Sequence, residues 1–137
     1  QCTKVSRRDR KRHRIIAKGK IMNDNLKINT LIKNNIVCFY LIGQLDAHSA
    51  PRLEEEIEKY IINSNKQFVF NLSNLEYISS AGLGVFMSFI QELRENNGDI
   101  KFAELNDRVK NVMELLGFNQ IYDITNSEQE AIEKYSN

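Results

Sequence analysis

The stretch from Phe68 to Leu93 constrains this 137-residue chain more than any other part of it. Phe68-Val69-Phe70-Asn71-Leu72 is a short apolar run of β-branched and aromatic residues, and it reads as one buried strand. Downstream, Leu83, Phe86, Phe89, Ile90 and Leu93 recur at helical spacing. Between the two lies Ser79-Ser80-Ala81-Gly82-Leu83-Gly84, so the segment reads as strand, tight loop, helix. Ser80 is placed to cap that helix, its oxygen facing the unpaired amides of the first turn. A phosphate there would meet free N–H donors and the positive end of the helix dipole. Taken alone, a serine at a helix start is a cap and nothing more.

The rest of the chain supplies a sheet for this unit to join. Lys27–Ile32 and Ile36–Ile42 flank Asn34-Asn35, a pair tolerant of positive φ, and read as a hairpin. The second arm is almost unbroken apolar, which marks a central strand covered on both faces and ended by Gly43. Ser49 is the expected cap of the next helix, with Pro51 in its first turn. Leu53, Ile57, Tyr60 and Ile61 form its buried stripe, and Glu54, Glu55, Glu56 and Glu58 its wet face. These glutamates point around the helix and do not converge on a metal. Asn97-Gly98 stops the helix that follows Ser80, Ile100–Ala103 is a short strand, and Val109, Val112, Met113 and Leu116 stripe a helix ended by Gly117. Ile121–Ile124 reads as a weak last strand, and Asn126 or Ser127 caps a final helix from Glu128 to Tyr135. A hairpin followed by alternation predicts an α/β fold, with a mixed sheet of four to five strands backed by about four helices.

Charge divides the chain in two. Residues 1–21 hold nine Lys and Arg against one Asp, whereas residues 22–137 hold ten against seventeen acids. An acidic folded part argues against direct binding of nucleic acid. The basic run Arg7–Arg14 could serve as an arm for nucleic acid or an acidic surface. The favoured reading is instead translation from upstream of a start codon at Met22, since Lys18-Gly19-Lys20 can be encoded by a purine-rich stretch like a ribosome-binding site. Residues 1–21 are therefore expected to lie outside the fold, as a disordered tail or an upstream translation artefact, with residues 22–137 forming the domain. Cys2 in the tail and Cys38 in a strand make neither a disulfide framework nor a metal site. No apolar run approaches the length of a membrane span, and a cytoplasmic protein without cofactor is expected.

Tyr77 to Gly84 resembles the signature of STAS domains of the anti-sigma factor antagonist family, whose usual form is Asp-Ser-Ser/Thr-Gly-Leu-Gly. Ser79 stands where the family often has Asp, Ser80 on the phosphorylated serine, and Ala81 where Ser or Thr is common; Gly82-Leu83-Gly84 match directly. Gly43-Gln44-Leu45-Asp46 resembles a second family motif, Gly-x-Leu-Asp, at compatible spacing. The resemblance covers about Leu26 to Ile132 and implies the STAS-like sheet. It also implies a phosphorylation-switched protein of bacterial partner switching and transcription regulation. Unmodified, such a protein sequesters an anti-sigma factor that is also a serine kinase and so releases a sigma factor; a Ser/Thr phosphatase resets it. The chain would be a phosphoprotein, monomer or weak dimer, and not an enzyme.

Asp46 and Ser80 each follow a strand, so strand-end loops can bring them together. Stepping about 100° per residue from Ser80, Gly84, Ser88 and Gln91 share its side of the helix and Met87 borders it. The resemblance implies that these two loops lie side by side and meet the partner, so that with the helix ridge the expected partner surface is Asp46, Ser79, Ser80, Ala81, Gly82, Gly84, Met87, Ser88 and Gln91. Two other readings stand beside this one. One is a STAS interaction module without phosphorylation, in a transport or stress-signalling complex. The other is a serine hydrolase using Asp46, His48 and Ser80 as orienter, base and nucleophile, although no Gly-x-Ser-x-Gly elbow surrounds Ser80.

Overall fold

The computed structural model describes residues 25–136 and begins with the predicted hairpin. β1 (Leu26–Lys33) and β2 (Ile36–Leu45) pair antiparallel across Asn34 and Asn35, whose φ angles of 54° and 66° are those of a primed two-residue turn. The proposed tail and Met22 to Asp24 lie outside the described residues. β2 does not stop at Gly43. The strand bulges there with φ +108°, in a place where a side chain would strike the Asn25 carbonyl, and it continues to Leu45.

Helix α1 (Ala50–Ile62), strand β3 (Gln67–Ile78), helix α2 (Ser80–Glu95) and strand β4 (Asp99–Ala103) follow in the predicted order. Then come α3 (Asp107–Leu115), a four-residue α4 (Phe118–Ile121), β5 (Asp123–Thr125) and α5 (Glu128–Tyr135). The sheet runs β1-β2-β3-β4-β5, antiparallel at the first pair and parallel at the others. This is the expected mixed α/β sheet, with five strands and, among the described residues, five helices.

Alternation along the strands builds two cores. Val37, Phe39, Leu41, Phe68, Phe70, Leu72, Ile100 and Phe102 point to the face that also buries Leu53 and Ile57 of α1 and Leu83, Phe86 and Leu93 of α2. An aromatic column crosses this face: Phe39 stacks on Phe70 at 4.8 Å, and Phe86 stands edge-on to both Phe70 and Phe102 at 4.9 Å. Ile36, Cys38, Val69 and Ala103 point the other way, against Ala131 and Ile132 of α5. α5 is fastened at its start by Glu128, which accepts from Lys33, Tyr40 and Asn71. At its end the Tyr135 hydroxyl lies 2.8 Å from the Phe68 carbonyl and 2.7 Å from that of Asp99.

Four local expectations fail. Glu58 is buried rather than wet, lying next to Ile57 on the covered side of α1. Leu116 is 57% exposed, since it caps α3 and no longer follows the helical stripe. Tyr122 ends α4 instead of opening a strand, so β5 shrinks to three residues. Ile90 is only partly covered, while Val85 joins the core in its place.

Candidate functional site

β2 and β3 are parallel neighbours, and their last residues, Leu45 and Ile78, stand opposite each other. Both chains therefore leave the same edge of the sheet together. A hydrogen bond from the Ser79 amide to the Leu45 carbonyl at 2.9 Å joins the two exits.

After β2, Asp46 closes a turn on itself. Its Oδ1 accepts the amides of His48 and Ser49, each at 3.0 Å. The buried Ser49 does not cap α1 with its side chain. Its Oγ instead accepts the Asp46 amide at 3.0 Å and lies 2.9 Å from the Gln44 carbonyl. The Ser49 amide, followed by the Ser49 hydroxyl and the His48 amide, holds the Asp46 carboxyl below its ordinary range against the opposing effect of burial. Asp46 is thus a fixed negative charge at the tip of the turn.

After β3, the cap is Ser79 and not Ser80. Ser79 keeps extended geometry (φ −101°, ψ 171°), and its Oγ accepts the Gly82 amide at 3.2 Å. The shift arises because β3 runs six residues past Leu72, to Ile78, so Ser80 is the first residue to turn helical. Ser80 is exposed, and its hydroxyl makes no hydrogen bond with the described residues. In the first turn the Gly82 amide is taken by Ser79 Oγ and the Leu83 amide by the Ser79 carbonyl, and no acidic side chain stands among them.

Gly82 is buried beneath this surface rather than part of it. A Cβ on Gly82 would lie 2.7 Å from Leu45 Cγ and 2.9 Å from the Leu45 carbonyl oxygen, so the missing side chain lets α2 rest on the end of β2. Ala81 is exposed, Gly84 is half-exposed with open space where a side chain would go, and Met87 is 55% exposed. Ser88 and Gln91 continue the exposed line, the Ser88 hydroxyl donating to the Val85 carbonyl at 2.7 Å. The ridge is therefore Ser80, Ala81, Gly84, Met87, Ser88 and Gln91, with the Asp46 turn beside its upper end. Tyr77, 48% exposed and paired with Gln44, adds an aromatic that the sequence reading passed over. The alternation of β3 breaks after Leu72, where Ser73 and Asn74 are both exposed, so no period in the sequence points to it.

The hydrolase arrangement does not form. Asp46 directs its oxygen to backbone amides, and the exposed His48 makes no side-chain bond to Asp46 or Ser80. Among the described residues no cluster has the makings of a metal site, and no helix is long and apolar enough to cross a membrane.

The STAS domain model matches residues 27–131. The chain belongs to the STAS domain family. Over 109 residues this STAS protein is 30% identical to the anti-sigma-B factor antagonist of Listeria monocytogenes, a match covering 80% of this chain and 95% of that one. Its fold is shared by an anti-sigma factor antagonist from Mycobacterium paratuberculosis, with TM-score 0.74, 17% identity and coverage of 84% and 97%. The Bacillus cell fate determinant SpoIIAA in the phosphorylated form also shares it, with TM-score 0.62, 20% identity and coverage of 80% and 97%. Within the matched span, Ser79 caps α2 and the exposed Ser80 stands beside it.

Proposed function

We propose that this protein is an anti-sigma factor antagonist whose docking surface is the α2 ridge and whose switch is phosphorylation of Ser80. The observation that carries the reading is the division of labour between the two serines. Ser79 holds the helix, so the Ser80 hydroxyl stays exposed and uncommitted at the positive end of α2.

Unmodified, the ridge is neutral from Ser80 to Gln91, and Gly84 leaves an opening in which partner backbone can sit close. A phosphate adds a charge of about −1.5 to −2 at neutral pH. It would stand beside the fixed carboxylate of Asp46, on a domain that is already acidic. An anti-sigma factor docked on that surface is then repelled and its sigma factor recaptured. The implied partners are an anti-sigma factor with serine kinase activity and a Ser/Thr phosphatase, all in the cytoplasm, and catalysis belongs to them.

The test is labelling by the cognate kinase with ATP. Wild type and Ser79→Ala should accept phosphate and Ser80→Ala should not. Ser80→Asp should bind the anti-sigma factor more weakly than Ser80→Ala. Labelling of Ser80→Ala would overturn the assignment; a wild type that binds the anti-sigma factor yet takes no label would leave a STAS interaction module without the switch.

A further inference from the structure

The free edge of the sheet carries a second surface, separate from the α2 ridge. β1 pairs with β2 on one side, and among the described residues no strand pairs with its other side. The tight turn makes Lys33 and Ile36 a hydrogen-bonded pair. The Gln44 amide donates to the Asn25 carbonyl at 2.9 Å, in the same alternation. Odd-numbered residues of β1 therefore turn their backbone groups toward β2. Leu26, Ile28, Thr30 and Ile32 turn theirs outward. The Leu26 carbonyl accepts the Arg52 guanidinium at 2.7 Å, and among the described residues nothing pairs with the outward ladder of N–H and C=O groups of Ile28, Thr30 and Ile32.

This ladder is symmetric about Thr30, with an isoleucine two residues to either side. The geometry points to β1 as a homodimer edge, its occupant the β1 strand of a second copy running antiparallel on a two-fold axis at Thr30. Each Thr30 then faces its counterpart, and each Ile28 faces the other copy's Ile32, an isologous match of β-branched pairs. Ile32 is 56% exposed, and so is Leu31 on the opposite face of the strand. The one unfavourable pairing, Lys27 against the counterpart of Lys33, is softened because Lys33 already contacts Glu128 at 2.6 Å. β1 is two strands away from β3, so the Ser80 ridge stays open on both copies. A contact limited to one edge strand is smaller than a stable dimer interface, so the association is weak and concentration-dependent.

Sedimentation velocity on the full chain should show an average mass that rises with concentration from one chain toward two. Ile32→Lys should weaken the association about tenfold or more while leaving the thermal melt unchanged, since the side chain is exposed. Position can be read separately in a Cys2→Ser background. Counterparts in a hydrogen-bonded antiparallel pair lie about 5.5 Å apart at Cα, within disulfide reach. Thr30→Cys should therefore cross-link on mild oxidation, and Asn29→Cys, which faces the counterpart of Leu31, should not. A monomer at every concentration would overturn the proposal, whether water or the chain's own N-terminal residues satisfy the edge. So would an Ile32→Lys protein that dimerises like wild type, or equal cross-linking at positions 29 and 30.

Discussion

Gly82 and Gly84 sit two residues apart in the first turns of α2, and the same substitution should act on them in opposite directions. A methyl group at Gly82 would lie 2.7 Å from Leu45 Cγ, 3.1 Å from Leu45 Cδ2 and 2.9 Å from the Leu45 carbonyl oxygen. Leu45 is fully buried, and its carbonyl already accepts the Ser79 amide, so neither can retreat without moving the end of β2. Overpacking of this kind costs about 1–3 kcal/mol, and contact with backbone belongs at the upper end. Replacing a helical glycine by alanine returns about 1 kcal/mol. The net loss for Gly82→Ala is then about 1–2 kcal/mol, or roughly 4–10 °C in melting temperature for a domain of this size. At Gly84 nothing lies within 4 Å of the added carbon, so only the propensity gain remains. Gly84→Ala should raise the melting temperature by roughly 3–6 °C. Thermal melts followed by circular dichroism, supported by urea titrations with unchanged slope, measure both. A neutral or stabilising Gly82→Ala would refute the close seating of α2 on β2. A destabilising Gly84→Ala would mean the ridge is buried and the assignment of its faces is wrong.

Three further outcomes are expected. Ser79→Ala should lose about 1 kcal/mol of stability by removing the cap, whereas Ser79→Asp should restore it, as denaturant titration of both variants will read. Gly84→Arg should melt no lower than wild type, because the space is open, yet bind the anti-sigma factor more than about tenfold less tightly in a titration by calorimetry. Asp46→Asn tests the turn after β2: the folded-state pKa of Asp46 lies below 3.8, so its charge stabilises the fold above that pH and ceases to do so as pH falls through the lowered value. The stability gap between wild type and Asp46→Asn should accordingly be full near neutrality and narrow in acid; a gap independent of pH would argue that the carboxylate charge does nothing for the turn.

The order of elements was legible because strand and helix periods differ and because Asn34-Asn35 and Asn97-Gly98 are strong local signals. The ends of β2 and β3 were not. Gly43 carries the mark of a strand terminus, but here its positive φ serves a bulge within a continuing ladder. β3 passes through the polar residues Ser73 and Asn74, exposed where β4 has already ended, and no apolar run marks that extension. That hidden extension moved the helix start by one residue and so moved the cap from Ser80 to Ser79. Gly82 shows the same limit. Its wheel position says which way it points, but only the tertiary structure reveals Leu45 directly beneath it. Four-residue α4 is too short to have a period at all.

The separation of cap and exposed serine also bears on which sequences the site can tolerate. Position 79 answers to folding, so side chains that can accept a helix-start amide, Ser, Asp, Asn and Thr, are favoured there. Position 80 carries no such duty. A library randomised at Ser80 should therefore vary in what binds it with little change in stability, while a library at Ser79 should also spread in stability by about 1 kcal/mol. A residue freed in this way from structural obligation can be exchanged on the strength of its chemistry alone.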